Sequence, residues 1–185
     1  MKVQAMLTMM VLAEFCPVAS AKPALRQTIT VCTLHDGNVA ALTPARMTAS
    51  RLFGDIGIRL AWVTSGHCPE DGIDVSFRRD APDTFHPGAM AYACLKTKQI
   101  EILLNRIESN RLGLQPNLLG YTLAHEITHV IQGIDRHSAD GVMKAHWDGG
   151  DLARIEGNRL RFAQEDVDLI LIGCHVSSRL PRTGR

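Results

Sequence analysis

The stretch Leu118-Leu119-Gly120-Tyr121-Thr122-Leu123-Ala124-His125-Glu126-Ile127-Thr128-His129-Val130-Ile131-Gln132-Gly133 decides how this chain is read. Leu119, Leu123, Ile127, Val130 and Ile131, with Ile134 just beyond, recur near helical spacing and predict an amphipathic helix from Leu118 to Gly133. His125 and His129 stand four residues apart and project from one side of that helix. Two imidazoles can then reach one metal ion, with Glu126 beside them. One face of the helix belongs to a core and the other to a metal site. At this composition the H-E-x-x-H pattern arises by chance on the order of once in a hundred chains.

The residues that follow extend the pattern. Gly133 can end the helix and turn the chain back towards the metal. A third ligand there would complete three protein positions and leave the fourth for water or substrate. His137 and Asp135 are the candidates, and His137 is preferred because neutral imidazole is the commonest metal ligand. Zn2+ suits such a ligand set, and Glu126 is then the candidate catalytic base.

Working outward, the chain has 185 residues, 45% hydrophobic and 21% charged, with a formal net charge of +1. That length predicts one domain. Near-neutral charge gives no footprint of a nucleic-acid binder, and no apolar run approaches the roughly 20 residues that span a bilayer. The expectation is a monomer with neither nucleic acid nor membrane as partner.

The first 21 residues read as a secretory signal. Met1 and Lys2 precede an apolar stretch, Val3 to Ala13, and the small residues Ala19, Ser20 and Ala21 suit cleavage before Lys22. Residues 1–21 are thus expected to be a signal peptide and 22–185 a single domain of a secreted or periplasmic protein. Cys16 leaves with the signal, and Cys32, Cys68, Cys94 and Cys174 remain as disulfide candidates in a compartment where disulfides persist. Four cysteines allow three connectivities, of which Cys68 with Cys94 and Cys32 with Cys174 is the expected one.

A coarse pass predicts strands at Thr28–Leu34, Ile58–Thr64, Ile73–Phe77, Ala89–Cys94 and Gln99–Leu104. A helix opens at Thr43-Pro44, with Thr43 as N-cap, and ends near Gly54–Gly57. Further helices are expected at Asp151–Asn158 and Gln164–Gly173. This order, strand, helix, four strands, then helices, predicts an α+β fold with one sheet covered by helices. Met90, Tyr92 and Trp147 read as core or rim residues, and His35, His67, His86 and His175 as surface or hydrogen-bonded histidines.

The segment HEITHVIQGIDRHSADGVM resembles the metzincin clan of zinc metallopeptidases, in the matrixin form of H-E-x-x-H-x-x-G-x-x-H. The resemblance implies that His125, His129 and His137 are zinc ligands, Glu126 the general base and Met143 the methionine of a tight turn beneath the metal. It also implies a zincin-like fold: a twisted mixed sheet of about five strands with an edge strand that pairs with peptide, an active-site helix, the Met-turn and a C-terminal helix. The chain departs from the family's motif in two ways. Gln132 stands where the family has glycine, with Gly133 one residue later, and His137 lies two residues beyond the usual third ligand, whereas Asp135 keeps that spacing. Ala145 stands where some members carry a tyrosine near the metal, which leaves His146 and Tyr92 as candidates to stabilise an oxyanion.

The expected function is therefore a secreted zinc endopeptidase acting on peptide or protein. Two alternatives are a non-catalytic zinc-stabilised module, closed by Asp135 and His137 together, and a zinc hydrolase of a non-peptide amide.

Overall fold

The computed structural model describes residues 27–35, 40–80, 86–108 and 116–179. The expected signal segment lies outside these. The described elements are β1 (Gln27–His35), α1 (Leu42–Asp55), β2 (Ile58–Val63), β3 (Ile73–Arg78), β4 (Ala91–Cys94), β5 (Gln99–Leu103), α2 (Leu104–Glu108), α3 (Pro116–Gln132), α4 (Gly149–Glu156) and α5 (Gln164–Arg179). The fold is α+β with one five-stranded mixed sheet, as the order of elements predicted. None of the described helices is long and apolar enough to cross a membrane.

The sheet runs β2-β1-β3-β5-β4. β1 pairs in parallel with β2 and β3, and β3 in parallel with β5, whereas β4 runs antiparallel to β5 and forms an edge. Parallel neighbours need a crossover, and α1 supplies it between β1 and β2. α1 packs on α3, so closely that a Cβ at Gly120 of α3 would stand 2.6 Å from the Thr48 Cβ and 2.7 Å from the Ala45 carbonyl oxygen. Between helices and sheet lie Val31, Phe53, Ile58, Val75, Ile100, Ile102, Leu119, Leu123 and Ile127, all essentially inaccessible to solvent. This core fixes α3 against the sheet, and the site rides on α3.

Three expectations need correction. The N-cap of α1 is Ala41, not Thr43, and it makes no side-chain capping bond. Leu42 is buried, and its burial draws the chain into the helix before the threonine. The segment after β5 is a short helix, α2, that β-like Leu103-Leu104 concealed.

The third correction is the disulfide. Cys32 on β1 pairs with Cys68 in the loop after β2, with 5.7 Å between their Cα atoms, while Cys94 and Cys174 are free. Cys32 and Cys68 are joined to each other, and strand order keeps Cys94 away from both. β4 lies three positions from β1, and at roughly 4.8 Å per strand that is far beyond disulfide reach. Cys174 sits in the core on α5, where burial pushes its thiol up to about 11. The pairing leaves a mark in the sequence: a Cβ at Gly72 would stand 2.8 Å from the Cys68 sulfur.

Candidate metal centre

α3 is buried almost all round from Leu118 to His129. Its apolar residues face the core, and Thr122, His125, Glu126 and His129 face a cleft of about 1130 Å³. Thr122 and Thr128 return their hydroxyls to the helix carbonyls of Leu118 and Ala124, so neither leaves a buried donor unpaired. Helical geometry alone sets His125 and His129 on one side.

Each of these imidazoles is oriented by a backbone carbonyl. His125 Nδ1 donates to Val142 O at 2.8 Å, and His129 Nδ1 to Ile134 O at 3.2 Å. With both Nδ1 protons committed, the Nε2 atoms carry lone pairs, and they face each other at 3.1 Å. Two lone pairs at that distance repel unless something positive lies between them. Tetrahedral zinc with nitrogen at roughly 2.05 Å would hold two such atoms about 3.3 Å apart, so the observed pair fits a cation closely. Carbonyl bonds from the opposite ring nitrogens are also the usual support for ligating histidines.

The third member comes from the segment after α3. Gly133 adopts φ 67° and donates its N–H to His129 O at 2.9 Å, closing the helix in the left-handed conformation that glycine permits. The longer loop still brings His137 home. Its ring centroid lies 5.2 Å from that of His125 and 5.0 Å from that of His129, and the potential ligand atoms of the three lie within 4.8 Å of one another. Asp135 lines the same cleft and is exposed, but it does not belong to that group. Among the described residues no fourth histidine, cysteine or carboxylate joins the three.

Glu126 is buried beside this cluster. Burial, and then the negative charge of Asp135, push its carboxyl up to about 8. Burial, followed by the neighbouring His129, holds His125 down at about 3, and burial lowers His129 as well. The two helix-borne imidazoles are therefore neutral at pH 7, the form in which they can coordinate a metal.

Met143 is fully buried in a tight turn. Ser138 N–H donates to Met143 O at 2.9 Å, and Gly141, at φ 81°, lies so close to the neighbouring chain that a Cβ would stand 2.6 Å from Arg161 O. The next residue in that turn, Val142, supplies the carbonyl that orients His125. The turn therefore supports the site directly.

The edge strand lines the same cleft, through Met90, Ala91, Tyr92, Ala93 and Cys94. Tyr92 is 52% exposed there. Trp147 forms part of the rim, its ring edge-on to His125 at 5.9 Å between centroids. His86 and His146 line the cleft as exposed residues, and His67 and His175 are exposed elsewhere, none joining the cluster.

Two buried residues beside the site escaped the sequence reading. Asp151 and Asp166 are wholly buried carboxylates on α4 and α5, and both grip the segment that carries His137 and Met143. Nothing local separates them from other acidic residues near helix starts. No protein-family model matches the chain, and no curated protein sequence matches it significantly.

Proposed function

We propose that the chain is a secreted zinc-dependent endopeptidase of metzincin type. The observation that carries this reading is the three-imidazole cluster beside buried Glu126, in a peptide-sized cleft that the edge strand β4 also lines. His125, His129 and His137 hold the metal, and the absence of a fourth protein donor among the described residues favours a site open to water and substrate over a closed structural one. The Cys32–Cys68 disulfide favours a secreted or periplasmic location.

When bound, zinc would supply the Lewis acidity that polarises a carbonyl and lowers the pKa of a bound water to about 7. The chain's own residues do the rest. β4 is the edge strand of the described sheet, so an extended peptide can add to it and present one carbonyl to the histidines. Glu126 takes the proton of the attacking water and returns it to the departing amine nitrogen. The value of about 8 belongs to the metal-free site; a cation held by the histidines would draw Glu126 towards the carboxylate form that accepts a proton. The carbonyls of Val142 and Ile134 hold two ligand rings in the required tautomer.

The test is cleavage of an unstructured peptide by the purified protein with and without a chelator. Activity should vanish with chelator and return with zinc. Glu126→Gln should bind zinc as the parent does and lose turnover by about 10²–10⁴-fold. Undiminished hydrolysis by that variant refutes the assignment of the base.

A further inference from the structure

Of the three imidazoles, His137 is held differently. His125 and His129 each give a ring proton to a backbone carbonyl, whereas His137 has no such acceptor among the described residues and is exposed. Its rotamer and position must come from its backbone. The residues on either side of it are both bound to one side chain, that of Asp166.

Arg136 donates to Asp166 Oδ1 at 2.8 Å, and the Ser138 hydroxyl donates to Asp166 Oδ2 at 2.7 Å. Arg136 also reaches Glu165 at 2.7 Å. Asp166 is fully buried in the first turn of α5, its own N–H bonded to Ala163 O at 3.0 Å. A buried carboxylate with a charged donor on one oxygen and a hydroxyl on the other is a rigid anchor, because losing either partner leaves buried charge unsatisfied. The bonds bracket His137 at the preceding and following residues, so its Cα has little freedom. The loop is two residues longer than the family's spacing, and such an anchor is what a longer loop requires to deliver its ligand.

We infer that Asp166 is the positioning residue for the third metal ligand, acting through Arg136 and Ser138 in place of a hydrogen bond to the His137 ring. The inference rests on the three-histidine reading of the metal site. It predicts a coupling between Asp166 and His137 that a merely stabilising carboxylate lacks.

The experiment measures zinc affinity of the full chain by competition with a chromophoric chelator, together with the visible spectrum of the cobalt-substituted protein. Asp166→Asn and Ser138→Ala should each weaken zinc binding, by about 10–100-fold for the former and less for the latter, and both should change the cobalt spectrum. Ile58→Val, a buried change on the far edge strand β2, should leave affinity and spectrum as in the parent. In a His137→Ala background, Asp166→Asn should have no further effect on affinity. If Asp166→Asn does not fold, Ser138→Ala decides by itself, since it removes only a hydroxyl. Unchanged affinity and spectrum in the Ser138 and Asp166 variants, or an equal loss with and without His137, overturns the positioning role. If the parent takes up no zinc, or binds it as tightly after His129→Ala, the metal site itself is refuted, an outcome distinct from the first.

Discussion

Helix α3 and the segment from Gly133 to Asp148 contribute to one site by opposite means. α3 delivers His125, Glu126 and His129 from five consecutive residues, and helical periodicity sets their relation before any tertiary contact forms. The following segment delivers His137 and Met143 only because distant parts of the chain hold it. Ser138 is bound to Asp166, Val142 N–H to Arg161 O, and Lys144 to Asp151. The comparison teaches that the helix-borne half should survive local damage to its surroundings, while the loop-borne half should fail through residues far from the metal.

The largest expected effect breaks the helix half directly. His129→Ala should lower zinc affinity by more than the roughly 10–100-fold typical of outer-sphere changes, and His137→Ala by a smaller factor, because its loop is the more adaptable carrier. Zinc titration of both variants measures the difference; equal losses would erase the distinction between the halves.

Next comes the pH dependence of the metal-free protein. Glu126 titrates near 8 when folded and near 4.5 when unfolded, so its neutral form stabilises the fold fully below pH 4.5, and that contribution is lost as pH rises through 8. His125 acts in the other direction: its folded value of about 3 lies below 6.5, so its contribution is present above pH 6.5 and lost as pH falls towards 3. Between pH 6.5 and 8 the glutamate dominates, and stability should fall by up to about 1.4 kcal/mol per pH unit. Glu126→Gln should flatten that slope. Urea midpoints in the presence of chelator at several pH values provide the measurement.

Gly120→Ala tests how α3 is seated. A Cβ there meets the Thr48 side chain and the Ala45 carbonyl, so α1 and α3 must separate, at a cost of about 1–3 kcal/mol. Denaturant unfolding should show that loss. Zinc affinity should change little, since His125 and His129 move together with their helix.

The smallest effect probes the end of the loop half. Asp148 caps α4, accepting from Gly150 N at 2.9 Å and Asp151 N at 3.0 Å, while Asp151 returns a bond to the Asp148 N–H at 3.1 Å. Asp148→Ala should cost about 1 kcal/mol and lower Tm by a few degrees. It should leave Glu126 and the helix-borne histidines as they are.

Much of this molecule was legible because its signals are short-range. β2, β3 and β5 begin at Ile58, Ile73 and Gln99, where turn residues and β-branched runs predicted them, and α3 fell within two residues of its expected start and one of its end. Gly133 ended the helix because a left-handed residue there closes the last turn. The preference for His137 over Asp135 rests on ligand chemistry; in the structure His137 lies beside His125 and His129, and Asp135 is not in that group. What was not legible depends on partners remote in sequence. The Cys32–Cys68 pairing follows from β1 lying between β2 and β3, which no cysteine spacing encodes. The start of α1 was decided by burial of Leu42, a tertiary force that outweighed a good capping residue at Thr43.

By itself, then, the sequence determined the helix, its two faces and the pair of imidazoles with their glutamate, because residues three and four apart must be neighbours on a helix whatever surrounds it. It also determined the order of the strands and of the helices other than α2, through alternation and turn chemistry. Only the tertiary structure decided which cysteines meet, which edge strand lines the histidine cleft, and which buried aspartate binds the residues on either side of His137. Those facts depend on distances between segments tens of residues apart, and only the packed core sets such distances.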